Sequence, residues 1–152
     1  MPGVRQQVEW NGNSIMVEQE NVQAVQSVYA AFGRGDISAV LDALTEDVEW
    51  VLPGPPEVIP FAGVRRGREQ VLEFFGVLDA ALTFERFEPR EFMAQGDKVV
   101  VLGRSRDRMK STGRVVENEW AAVFTLKDGK IAKYQVLEDT AAFVSTLGSS
   151  EG

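Results

Sequence analysis

The chain predicts an α+β fold with an antiparallel sheet. Two observations carry this. Helical apolar spacing clusters in the first half, and strand-like alternation with turn signals dominates the second. A third is the Asp128-Gly129 pair between two alternating segments, a hairpin signal.

The elements follow in order. Val22, Val25, Val28, Tyr29 and Phe32 recur at three- and four-residue spacing, giving one apolar helix face. Gly33 and Gly35 end that helix, and Asp36 caps a second over 37–44, with Val40, Leu41 and Leu44 inward. A short strand is predicted over 48–52. Pro53, Pro55 and Pro56 then force a loop, because proline cannot donate to a ladder. Gly63 and Gly67 bracket a turn before a third helix over 68–82, with Val71, Leu72, Phe75 and Leu78 inward. Strands are predicted over 83–92, 98–109, 115–126 and 130–137. Asp139 or Thr140 caps a last helical turn over 141–147.

A length of 152 residues suits one domain, assigned to 19–147. Residues 1–18 read as an N-terminal extension, for example an extra strand, and 148–152 as a flexible tail. Trp10 and this extension are candidates for adding to a partner.

Composition narrows the chemistry. The chain has 16 basic and 23 acidic residues, a formal charge of −7, so a phosphate backbone is repelled and no nucleic-acid partner is expected. Arg104, Arg106, Arg108 and Lys110 alternate along one strand and read as a solvated sheet face. Apolar runs are far shorter than a membrane span, so no membrane partner is expected, and no secretory signal is visible; a cytoplasmic location is the expectation. Cysteine and histidine are absent, which removes disulfides, thiolate nucleophiles, zinc–thiolate sites and Ser-His-Asp chemistry. No metal motif is present, and no metal or cofactor is expected. Acid–base chemistry must come from Asp, Glu, Tyr, Lys or Arg.

Residues 28–36 (VYAAFGRGD), 44–50 (LTEDVEW) and 63–67 (GVRRG) with Val71, Phe74 and Phe75 follow one another at characteristic spacing. So do residues 118–124 (NEWAAVF) and 127–131 (KDGKI). Together they resemble the nuclear transport factor 2-like superfamily, in its SnoaL-like and ketosteroid isomerase-related branch, over roughly residues 20–145. The resemblance implies a cone: a curved sheet wrapped round three helices, open at one end to an apolar pocket. It also implies a homodimer through the outer sheet face. Relatives include isomerases, cyclases, epoxide hydrolases, dehydratases and non-catalytic binders, so the fold alone does not assign the activity.

Carried over residue by residue, the catalytic set of the isomerase-like members is missing. Their general-base Asp falls at Leu52, before Pro53, and their proton-donating acid falls at Ala122. Their helix tyrosine falls at Val28, with Tyr29 one residue away and turned by about 100°. Neither Leu nor Ala transfers a proton, so ketosteroid isomerase activity is expected to be absent. Relatives also often carry Glu at Val136 and Tyr at Leu137.

Three groups remain as catalytic candidates: Asp107, Glu138 and Tyr134. Asp107 alternates inward with Ser105 and Met109, where burial demands a partner or a raised pKa. Tyr134, Val136 and Glu138 share one strand face. Ligand contact is expected from Val28, Phe32, Trp50, Leu52, Phe61, Phe74, Trp120, Ala122, Tyr134 and Val136, with core packing as the alternative for Trp50 and Trp120. Glu57 is a candidate gate in the Pro-rich loop. Arg106 and Asp107 with Glu138 or Asp139 could imitate an epoxide hydrolase triad, but adjacent strand residues point to opposite faces.

Three functions follow. The leading expectation is a module that binds a small apolar molecule in an oily cone. The second is an acid–base enzyme of isomerase, cyclase or hydrolase type using Asp107, Glu138 or Tyr134. The third is a structural or interaction protein acting as a homodimer.

Overall fold

The computed structural model describes the backbone of residues 2–148 and the side chains of residues 15–147. Its elements are α1 (Pro2–Gly33), α2 (Ile37–Asp42), β1 (Leu44–Leu52), β2 (Gly63–Arg66), α3 (Gly67–Ala81), β3 (Leu82–Gln95), β4 (Lys98–Met109), β5 (Val115–Lys127), β6 (Lys130–Leu137) and α4 (Thr140–Gly148). The six strands form one sheet in the order β2-β1-β6-β5-β4-β3. Every pairing is antiparallel except β1 with β6, which is parallel. The sheet is therefore mixed, a refinement of the antiparallel expectation.

Local chemistry explains the boundaries. Gly35 takes φ 76° after α1, a left-handed conformation that costs glycine little. The Asp36 carboxylate then accepts the Ala39 amide at 3.1 Å and starts α2. Asp139 does the same for α4, accepting the Ala142 amide at 3.2 Å. Asp128 and Gly129 both have positive φ, as the tight β5–β6 hairpin requires.

Four expectations are corrected. The N-terminal extension is not a strand: α1 runs unbroken from Pro2. The Trp10 side chain and the tail after Gly148 lie outside the described residues. Residues 63–66, read as a turn, form β2, because Gly63–Arg66 pairs with Glu49–Leu52. The strand predicted over 48–52 starts earlier: Leu44–Asp47 already belong to β1, which is irregular between Leu44 and Glu49. On α3 it is Phe74 that is buried with Val71 and Leu78, while Leu72 is 51% exposed.

The core fills the concave side of the sheet. β5 turns Val116, Asn118, Trp120, Ala122, Phe124 and Leu126 inward, and β4 turns Val99, Val101, Ser105, Asp107 and Met109 the same way. Helices α1, α2 and α3 cover this face with Val25, Val28, Val40, Val71 and Phe74. Glu18 pins α1 to the β3–β4 turn by accepting the Gly96 amide at 2.7 Å.

The convex face carries the basic run. Arg104 pairs with Glu88, Arg106 with Glu85 and Glu117, and Arg108 with Glu85. All are substantially exposed, so this ladder adds little stability.

Candidate active site

Between the helices and the sheet lies a cavity of about 90 Å³. Its walls are mostly aromatic. The Trp50 and Tyr134 rings stack at 4.0 Å, and Phe87 stacks on Trp120 at 5.4 Å. Tyr29 sits among Phe87, Phe92, Trp120 and Phe124, each within 6.2 Å between ring centroids. Trp120 lies flat over Gly103, where a Cβ would overlap the indole ring and sit 2.7 Å from the Glu88 carbonyl oxygen.

Against this apolar lining stands one polar cluster. Register places Ser105 of β4 directly opposite Asn118 of β5, with Asp107 two residues further along the same face. Glu138 follows the end of β6 on the face of Val136 and Tyr134. The Asn118 side-chain amide donates to Glu138 Oε1 at 2.9 Å. Asp107 is 1% exposed, and its Oδ1 has no hydrogen-bond partner; the Asn118 Oδ1 has none either.

Burial dominates the electrostatics. It pushes the Asp107 carboxyl up to about 7. The negative charge of Glu138 adds to this, while hydrogen bonding to Ser105 and Asn118 opposes it. Burial likewise raises Glu138, against the Asn118 hydrogen bond. The Tyr29 and Tyr134 phenols are pushed above their ordinary value by burial, so both stay protonated at neutral pH. Asp107 is thus a carboxyl that changes charge near neutrality beside a second acid. That arrangement suits proton transfer.

Of the residues named from sequence, Val28, Phe32, Trp50, Leu52, Phe61, Phe74, Trp120, Tyr134 and Val136 line the cavity, as do Asp107 and Glu138. Ala122 is fully buried but lies outside the lining. Glu57 is exposed and not part of the cavity. Asp139 is spent as the α4 cap, and Arg106 points to the convex face, so no carboxylate–arginine triad forms. Among the described residues no arginine partners Asp107: its flanking arginines face away from it, as strand alternation requires.

The expected oily cone has a polar end. Hydrocarbon does stand at Leu52, but the buried Asp107 of β4 and the half-buried Glu138 just past β6 face the same space. Sequence reasoning misses Asn118, although an amide within the apolar row Val116, Trp120, Ala122, Phe124 is a readable signal. It also discounts Tyr29 for its angle, yet Val28 and Tyr29 both reach the cavity, because the buried stripe of a helix is wider than one residue.

A family model described as a SnoaL-like domain matches residues 25–134. The chain belongs to the SnoaL-like family. A relative in Mycobacterium tuberculosis, an uncharacterised protein, is 27% identical over 118 residues, covering 78% of this chain and 88% of that one. A nuclear transport factor 2-like protein from Burkholderia xenovorans is 35% identical with a TM-score of 0.78, over 86% of this chain and 97% of that one. TerC, solved in a co-crystal with polyporic acid, is 31% identical with a TM-score of 0.76, over 85% and 98% respectively. Among the described residues of this SnoaL-like chain, no three His, Cys, Asp or Glu side chains cluster to hold a metal, and no helix is long and apolar enough to cross a membrane.

Proposed function

We propose that this protein binds a small, flat, largely apolar molecule and performs acid–base chemistry on it, with Asp107 moving the proton. One observation carries this reading: the buried Asp107 carboxyl, its Oδ1 without a partner and its ionisation raised to about 7, faces an aromatic cavity together with Glu138. A base of that pKa works near neutral pH, where ordinary aspartate is too weak. Glu138, held by Asn118, keeps Asp107 from ionising early. The protonated Tyr29 and Tyr134 phenols supply further polar groups on the same walls.

The co-crystal of TerC with polyporic acid supports a ligand in this fold. A ligand burying ~300 Å² of apolar surface gains roughly 7 kcal/mol at ~25 cal/mol per Å². Association costs at least ~4 kcal/mol of that. Micromolar or weaker affinity is therefore expected. Binding is read from the emission of Trp50 and Trp120. Proton transfer is read by NMR as deuterium uptake beside the carbonyl of single-ring aromatic ketones such as phenylacetone in heavy water. The wild type is expected to exceed the buffer rate and Asp107→Asn to fall back to it. Binding without exchange across the whole panel would leave a binding module and remove the enzyme.

A second copy of the chain is proposed as partner for the convex face. Register aligns Met93, Val100, Val123, Gln135, Val51 and Val64 in one row across all six strands, and five of the six are apolar. Leu102 and Leu137 flank it, 36% and 54% exposed. Such a continuous outward row calls for a cover. Light scattering is expected to give a dimer that Val123→Lys converts to monomer; a monomeric wild type would end this proposal.

A further inference from the structure

The polar end of the cavity has charge of one sign only. Asp107 and Glu138 face it, and among the described residues no lysine or arginine lines it. The arginines flanking Asp107 are committed elsewhere, Arg106 to Glu85 and Glu117 and Arg108 to Glu85. Arg65 lies over the Phe74 ring, 5.1 Å from its centroid, and donates to the backbone carbonyls of Phe61, Ala62 and Pro60. A buried carboxyl pair without a countercharge is costly unless something supplies one.

The remaining walls favour the same sign of ligand. Aromatic faces carry negative quadrupole density, so they attract cations and repel anions. Phe84 stands opposite Asp107 in the β3–β4 register, and Trp120 lines the cavity two residues beyond Asn118 on β5. Two acceptor atoms, Asp107 Oδ1 and Asn118 Oδ1, are buried there without a donor, and the two side chains are 1% and 4% exposed.

Resting on the reading that this cavity takes a ligand, we infer that the ligand is an organic cation: a flat apolar body carrying a protonated amine that seats between Asp107 and Glu138. An ammonium presents up to three donors, matching the two orphan acceptors and the Glu138 carboxylate. Its charge also ionises Asp107 by direct pairing, which prepares the proton acceptor.

The groups that influence Asp107 are few. Glu138 lies on the β6 side, and Tyr29 of α1 and Tyr134 of β6 reach the cavity as neutral phenols. Glu117 of β5 acts from the convex face. Among the described residues of α3, α4 and β3, only hydrocarbon side chains such as Phe75, Phe143 and Phe84 line the space. Amine affinity is therefore expected to rise with pH between about 5.5 and 8 as Asp107 ionises, and that of a neutral analogue to stay level.

The space is smaller than the ~150 Å³ apolar cavity that holds benzene, so single-ring probes are appropriate. Calorimetry or tryptophan emission is recorded for 2-phenylethylamine, 2-phenylethanol and phenylacetate at pH 7.5. The amine is expected to bind at least tenfold tighter than the alcohol, and phenylacetate not at all. In Asp107→Asn the amine preference is expected to shrink below threefold while alcohol affinity is retained, which also shows that the variant is folded. Glu138→Gln is expected to reduce the preference in the same direction. Alcohol binding as tight as amine binding would overturn the inference and leave a ligand cavity. An amine preference that survives both substitutions would also overturn it. Failure of all three probes would remove the ligand reading itself.

Discussion

Asp107→Asn should make the protein more stable above pH 7. The Asp107 carboxyl ordinarily titrates at 3.8 and in the fold at about 7. The folded chain therefore holds this proton more tightly than the unfolded chain. The resulting stabilisation is complete below 3.8 and is lost as pH climbs through about 7. At 1.36 kcal/mol per pH unit, the ionised fold carries a penalty of about 4 kcal/mol at pH 8. The group is 1% exposed, so solvent screening reduces this little. Asparagine has nearly the same shape and no charge to bury. Relative to wild type, the variant should gain stability steadily from pH 4.5 to 7.5 and then level off. In a chain of this size the gain corresponds to roughly 10 °C in Tm. Melting both proteins in parallel across pH 4.5–8.5 isolates the effect, because every other titration is common to the two. A Tm difference that stays constant across this range would refute the buried, titrating Asp107, and with it the proposed base.

Three further outcomes test separate parts of the structure. Glu138→Gln removes the neighbouring negative charge, so Asp107 should ionise at lower pH. The midpoint of the stability gain produced by Asp107→Asn should then move down when that substitution is made in the Glu138→Gln chain. Gly103→Ala places a methyl against the Trp120 ring and 2.7 Å from the Glu88 carbonyl oxygen; a loss of roughly 1–3 kcal/mol in urea unfolding is expected, with altered tryptophan emission. Asp36→Ala removes the side-chain acceptor for the Ala39 amide and should cost about 1 kcal/mol in the same unfolding assay, with ligand affinity unchanged.

Most elements are legible in the sequence because their signals are local. β4 and β6 begin and end at the residues that alternation and turn chemistry mark, and Asp36 and Asp139 cap the helices that follow them. β2 is not legible: three residues between two glycines resemble a turn until β1 lies alongside them. Leu72 and Phe74 exchange roles because an apolar residue on a helix edge has no marker for which side the sheet will take.

The sequence alone, having no cysteine or histidine, excludes disulfide, thiolate and imidazole chemistry of the chain's own, and it shows which side chains alternate on a shared strand face. It put Asp107 inward with Ser105, and Glu138 with Tyr134 and Val136. It did not bring those two faces together. Asp107 and Glu138 stand 31 positions apart, and each by itself reads as an ordinary acid near a strand end. Only the pairing of β4 with β5 and of β5 with β6 closes them around Asn118, and only the helices laid across them exclude the water that would let both stay charged. Ionisation is governed by solvent access and neighbouring charge, and both are properties of the packed assembly of elements.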